Sequence, residues 1–322
     1  MQNVREFEKS SIRKNWQQDS GNDLSRGSLR RGVFPFILFL AAIFFVSSLK
    51  ADWKNHLRPC EQDKVCTPIA GVDFIYMINL SERLDKLTAS LRSLQKYNIV
   101  PYRFNAVDGW TLPSTVFSNL QPNPLSPVMN RGRIGCLISH LSVLYDAYKA
   151  GYSTIWVMED DPDILENPHL LSAIIADLDQ RDILWDILYT DVETKDSFGR
   201  RIYPVSIIPR PGVPAHDLYK RRYPVNDLCT EIGMRFGCYS MIIRRSGIEK
   251  ILNFFEQNNL FLPIDNELPH VPGLVQITLT KDIVSHRREQ MSNTQMSPAQ
   301  HRTINNKLEK RGNFVKKNIS YY

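Results

Sequence analysis

The strongest chemical signal in the chain is a run of carboxylates: Glu159, Asp160, Asp161 and Asp163, interrupted only by Pro162. The run follows residues 154–158 (TIWVM), which read as a buried strand. Charges packed this densely repel one another unless protons or a cation compensate. A hard divalent ion, Mn2+ or Mg2+, is the simple solution, and such an ion also bridges diphosphate oxygens. Glu159, Asp160 and Asp161 are therefore the candidate metal ligands. Strand alternation places Glu159 and Asp161 on one side and Asp160 on the other. Asp161-Pro162-Asp163 supplies a D-x-D spacing one step later. The competing reading is a solvated acidic turn in which an Asp caps the next helix.

Weaker candidates are scattered along the chain. Asp265-Asn266-Glu267, after Pro263, offers either a general base or an ordinary solvated loop. His140 falls inside a helical pattern, where packing or capping is a commoner role than catalysis. His286 follows Asp282 in a strand-like run and could complete a metal site. Asn79 and Asp108 each end a predicted strand and would point into one crevice, although Asn at a strand end is also a good turn residue.

These residues need a scaffold, and the pattern supplies an alternating one. Strands are expected at 72–80, 100–107, 154–158, 184–189 and 238–243, with helices at 82–97, 134–149 and 246–256. That rhythm implies an α/β fold with a largely parallel sheet between helices, its ligand crevice at the carboxyl ends of the strands. The chain has 322 residues, 43% of them hydrophobic and 23% charged, as in a folded globular protein. Its net charge of +6 suits anionic partners such as nucleotide phosphates, acidic glycolipids or a phospholipid surface. No zinc-finger spacing or RNP-type signature is present, which argues against nucleic acid.

Five domain segments follow from composition: a basic polar tail (1–32), an apolar anchor (33–50), a stem (51–70), a catalytic domain (71–290) and a basic tail (291–322). Residues 33–49 carry no charge and approach the length of a bilayer span, so a single-pass transmembrane helix is preferred over a cleaved signal peptide. More basic residues precede this span than follow it, which places the domain on the non-cytoplasmic side. With Lys50 and Lys54 on the other flank, that side stays open. Five cysteines are too few for a disulfide scaffold; Cys60 and Cys66 either pair across a short loop or stand as unrelated thiols. Asn79-Leu80-Ser81 and Asn318-Ile319-Ser320 match the glycosylation sequon.

Read in order, four blocks resemble glycosyltransferase family 25. Residues 76–80 (YMINL) with Arg83 look like the family's opening strand, with Asp85-Lys86 where Asp-Arg is usual. Residues 103–109 (RFNAVDG) are similar to R-x-x-A-V-D-G. Residues 132–140 (GRIGCLISH) are close to G-E-I-G-C-x-x-S-H, with Arg133 replacing the acidic residue. Glu159-Asp160-Asp161 looks like the E-D-D strand end. Beyond residue 163 the likeness thins to residues 185–189, 237–250 and Pro263-Ile264-Asp265. From Glu267 onward it departs, so His286 is not carried over.

The resemblance implies a GT-A type, Rossmann-like fold and hexosyl transfer from a nucleotide sugar, commonly UDP-linked, to a hydroxyl of a glycan, glycolipid or lipopolysaccharide. It places Asn79, Arg83, Asp108, Gly109, Ser139 and His140 around the nucleotide. Glu159, Asp160 and Asp161 would hold the metal, and Asp265 would be the base, with inversion favoured. Two other classes stand beside it: a metal-dependent nucleotide-sugar hydrolase or phosphotransferase, and a catalytically inactive membrane-anchored binding protein.

Overall fold

A computed structural model describes residues 53–120, 128–196, 198–214 and 216–287. The expected tails (1–32 and 291–322) and the apolar span (33–50) lie outside the described residues. Among the described residues, no helix is long and apolar enough to cross a membrane.

Among the described residues, ten strands form two sheets: β1 (Phe74–Asn79), β2 (Tyr102–Asn105), β3 (Thr154–Glu159), β4 (Pro162–Ile164), β5 (Ile187–Tyr189), β6 (Arg222–Pro224), β7 (Cys229–Ile232), β8 (Ser240–Arg244), β9 (Gln276–Leu279) and β10 (Val284–His286). The helices are α1 (Leu84–Gln95), α2 (Ser114–Leu120), α3 (Arg131–Ala150), α4 (Leu170–Gln180), α5 (Arg245–Gln257) and the short α6 (Ile264–Glu267). The main sheet has eight strands in the order β2-β1-β3-β8-β5-β9-β7-β6. β1 pairs in parallel with both β2 and β3. The largely parallel sheet expected from the sequence is present with two exceptions that make it mixed: β8 runs antiparallel between β3 and β5, and β7 runs antiparallel to β9 and β6. A fully buried strand has the same apolar reading in either direction, so composition does not report its polarity.

Side-chain alternation along the strands builds one core on each face of the sheet. Phe74, Tyr76 and Ile78 of β1 join Ile155 and Val157 of β3 beneath α3 and α5. Ile75 and Met77 join Trp156 and Met158 beneath α1 and α4. The result is a three-layer sandwich, as the sequence pattern requires. Residues 53–70 pack onto it. Trp53 is buried and donates its indole N–H to the Phe255 carbonyl at 2.8 Å, and the Arg58 amide bonds to Ser142 Oγ at 3.0 Å. Cys60 and Cys66 are free thiols.

Helix α3 opens on Asn130, whose side chain accepts from the Arg133 amide, and closes on Gly151 at φ 77°. Its first turns lie backbone-to-backbone on the loop after β2. A Cβ on Gly135 would stand 2.5 Å from Gly109 N and Val107 O, and one on Gly109 only 1.7 Å from Arg131 O. Both motif glycines are thus required by one close approach. Ser139 completes the junction, accepting from the Val107 amide and donating to Gly135 O.

Candidate active site

Strand β3 delivers the acidic run to the sheet's carboxyl edge and divides it between the two faces. Glu159 continues the α3 side of the alternation and lies against that helix, with Oε1 3.4 Å from His140 Nε2 and 3.8 Å from Cys136 Sγ. Asp160 turns to the α1 side. It accepts from Asn79 Nδ2 at 2.7 Å, lies 3.5 Å from Lys86 Nζ, and its carbonyl accepts from Ser90 Oγ. Asp161, one residue past the strand's split, is held by Lys86 Nζ at 2.7 Å. Lys86 is 4% exposed, so this ammonium is a built-in counter-cation for the acidic pair.

Two adjoining cavities share Cys136, Glu159 and Asp161. A small recess of about 80 Å³ is also lined by Arg83, Lys86, Asp108, Gly109, Trp110 and His140. A larger cleft of about 690 Å³ is lined by Arg133, Tyr239, Asp265, Asn266, His286 and Arg287, among others. That volume falls within the ordinary range for small-ligand sites.

Most residues singled out from the sequence meet here, in differing roles. Arg83, Asp108 and His140 stand on the recess wall. Asn79 is 1% exposed and lies behind that wall. Its Oδ1 accepts from Arg103 Nε at 2.9 Å, and its amide nitrogen reaches Asp160 and the Arg83 carbonyl. It positions Asp160 and has no surface to offer a glycan, so the Asn79 sequon is unusable in the folded chain. Gly109 and Ser139 shape the recess through the junction described above. Asp265 faces the larger cleft, its carboxylate accepting from the Gly237 amide and from Asn266 Nδ2, each at 2.9 Å. Glu267 is buried against Arg210 and the Phe261 and Leu262 amides, a structural placement.

The oxygens of Glu159, Asp160 and Asp161 are not gathered around one point. Among the described residues, the only set of three or more potential ligands with atoms within 4.8 Å of one another is Cys136, His140 and Glu159. Glu159 and Asp161 nonetheless face the shared wall of both cavities as hard oxygen donors, the chemistry that Mn2+ or Mg2+ requires. Asp160 also lines the recess, its carboxylate held by Asn79 and Lys86.

Sequence reasoning set His286 aside, but the fold brings it in. β10 pairs antiparallel with β4, setting His286 opposite Pro162, and the Arg287 amide donates to Asp161 O. The imidazole packs on Tyr239 with ring centroids 4.3 Å apart. Burial lowers its pKa against the pull of Asp161. The only sequence signal was a strand-like run around Asp282, and nothing local announced its distant partner. Lys86 was noticed only as a departure from a motif.

Electrostatics separate the carboxylates. Burial alone would raise Glu159, but its His140 contact and the charges of Lys86 and His286 outweigh burial and hold it below the usual range. Burial pushes Asp160 up to about 6, reinforced by its acidic neighbours and only partly offset by Lys86 and Asn79. A carboxyl with a folded pKa above its ordinary 3.8 binds more protons folded than unfolded between the two values. Its contribution is fully present below the lower value and is lost as pH rises through about 6. Chemical denaturation should therefore show Asp160→Asn gaining on wild type as pH rises from about 4 to about 7. A difference constant with pH would show that Asp160 titrates normally.

In a mixed α/β sandwich the ligand crevice lies outside the carboxyl ends of the strands, where the carboxylates and cations of this chain converge. Residues 72–268 match Glycosyltransferase family 25 (LPS biosynthesis protein), and the chain belongs to that family. Inactive glycosyltransferase 25 family member 3 of Homo sapiens is 30% identical over 128 residues, covering 37% of this chain and 22% of that protein. Procollagen galactosyltransferase 2 of Mus musculus is likewise 30% identical over 128 residues, covering 37% and 20%. Procollagen galactosyltransferase 1 of Danio rerio is 26% identical over 223 residues, covering 66% and 33%. The chain spans between about a fifth and a third of the length of these relatives.

Proposed function

We propose that the protein transfers a hexosyl group, galactose-like, from a UDP-linked donor to a hydroxyl of a glycan, glycolipid or lipopolysaccharide acceptor. The observation that carries this reading is the pair of adjoining cavities with Glu159 and Asp161 on the shared wall and Asp265 in the larger cleft. The nucleotide end of the donor belongs on the recess side, near Arg83 and Asp108. The hexose and the acceptor belong in the cleft. The names of the procollagen galactosyltransferase relatives favour the choice of sugar.

Glu159 and Asp161 would hold a divalent ion, which supplies positive charge to the leaving diphosphate. Lys86 anchors Asp161 through their ion pair, and Arg133 adds positive charge to the cleft wall. Asp265 is fixed by its two hydrogen bonds and takes the proton from the acceptor hydroxyl as that oxygen attacks the anomeric carbon. The bond from the anomeric carbon to the diphosphate oxygen breaks, and UDP departs with its electron pair. One base and one displacement correspond to inversion. Residues 33–50 would anchor the enzyme to a membrane.

A second reading is favoured by the relatives named as inactive: a protein that binds the nucleotide sugar without turning it over. UDP release from UDP-hexoses, with and without acceptor glycans, separates the two. Transfer should require an acceptor and fall by about 10² to 10⁴ in Asp265→Asn with donor binding retained. Intact donor binding with no release would establish the silent binder, and release without an acceptor a hydrolase.

A further inference from the structure

The Cys136, His140 and Glu159 side chains form a donor set of which the transferase reading uses only Glu159. Cys136 and His140 lie four residues apart on α3 and so project from the same face of the helix. Glu159 approaches from the end of β3. The His140 Nε2 to Glu159 Oε1 distance is 3.4 Å, and Cys136 Sγ lies 3.8 Å from the same oxygen. Zinc bonds of about 2.3 Å to sulfur and about 2.0–2.2 Å to nitrogen and oxygen, at tetrahedral angles, give edges of about 3.4 Å (N to O) and about 3.6 Å (S to O). The observed separations match those edges within a few tenths of an ångström.

We propose that Cys136 Sγ, His140 Nε2 and Glu159 Oε1 form a binding site for a borderline-soft divalent cation of the Zn2+ class. Thiolate and imidazole select such an ion over Mg2+ or Mn2+, which prefer all-oxygen shells. The site has three protein ligands, of which Cys136 and Glu159 line both cavities and His140 the recess, so it borders open space as an accessible rather than a closed structural site does. Binding deprotonates the Cys136 thiol and releases that proton to solvent. Because Glu159 is shared, a soft ion here competes with a hard ion on the Glu159–Asp161 pair. The protein then carries two alternative cation positions about one carboxylate.

The test is a Co2+ titration of the full-length, chelator-stripped protein, followed by sulfur-to-cobalt charge-transfer absorption. One equivalent should produce the band, and Zn2+ should displace it one for one. Cys136→Ser should abolish it, and His140→Ala should weaken binding at least about tenfold. Asp161→Asn should keep the band, which separates this site from the donor site whatever the fate of the transferase reading. Circular dichroism of each variant controls for folding. The proposal is overturned by absence of the band in folded wild type, or by a band that survives Cys136→Ser, including one lost instead in Cys238→Ser.

Discussion

Lys86→Met should destabilise the protein by about 3–5 kcal/mol near neutral pH, the typical cost of leaving a buried charge without its partner. Lys86 Nζ lies 2.7 Å from Asp161 and 3.5 Å from Asp160, whose side chains are only 15% and 13% exposed. Removing the ammonium leaves two adjacent carboxylates facing each other across a poorly solvated wall. Asp160, already displaced upward by burial, would move further in that direction. The deficit should therefore shrink as pH falls and Asp160 takes up a proton. For a domain of this size, a loss of that order lowers the melting temperature by about 10 °C. Lys86→Arg, which restores the family's usual residue, should recover most of it. Thermal and urea melts at two pH values test this, and a Lys86→Met variant as stable as wild type would show that the pair carries no buried charge.

The second large effect is expected beneath the larger cleft. Arg235 and Asp191 form an ion pair with both side chains at 0% exposure, joined at 2.7 Å. Asp191 also accepts from Tyr239 OH at 2.6 Å and Ser285 Oγ at 2.8 Å, and the guanidinium lies 4.5 Å from the Tyr189 ring centroid. Arg235→Met removes the guanidinium that pairs with Asp191 and should cost about 3–5 kcal/mol. A double variant, Arg235→Met with Asp191→Leu, should cost less than the single one, because it leaves no unpaired charge. Tyr239 links the network to the cleft through its contact with His286, so the single variant should also disturb the imidazole resonance of His286. Denaturation midpoints of the three proteins decide it: a double variant worse than the single would mean that packing, not charge, dominates here.

The parts legible in the sequence are those whose signal is local. β1 and β3 are apolar runs and α1 and α3 carry apolar residues at helical spacing, and their positions follow from that. The division of Glu159 from Asp160 follows from strand alternation because β3 persists to Glu159 before turning. What could not be read depends on distant partners. The direction of β8 is set by its neighbours; α4 is not among the expected helices, although its Leu171, Ile174, Ile175 and Leu178 fall at helical spacing. His286 reaches the cleft only because β10 pairs with β4. Lys86 reads as an ordinary helical lysine, since solvated lysines share its spacing; only the approach of β3 makes it a buried counter-ion. Gly109 and Gly135 look like independent turn and helix residues until their backbones meet.

Calorimetric titration of UDP into the full-length protein decides whether this crevice binds a nucleotide diphosphate through the acidic strand end. The titration is run with and without Mn2+, on wild type and Asp161→Asn. Saturable binding is expected, strengthened by Mn2+ and abolished by Asp161→Asn while the fold persists. Binding indifferent to both the ion and Asp161 would contradict the site assignment, and no binding of UDP in any condition would contradict the proposed donor.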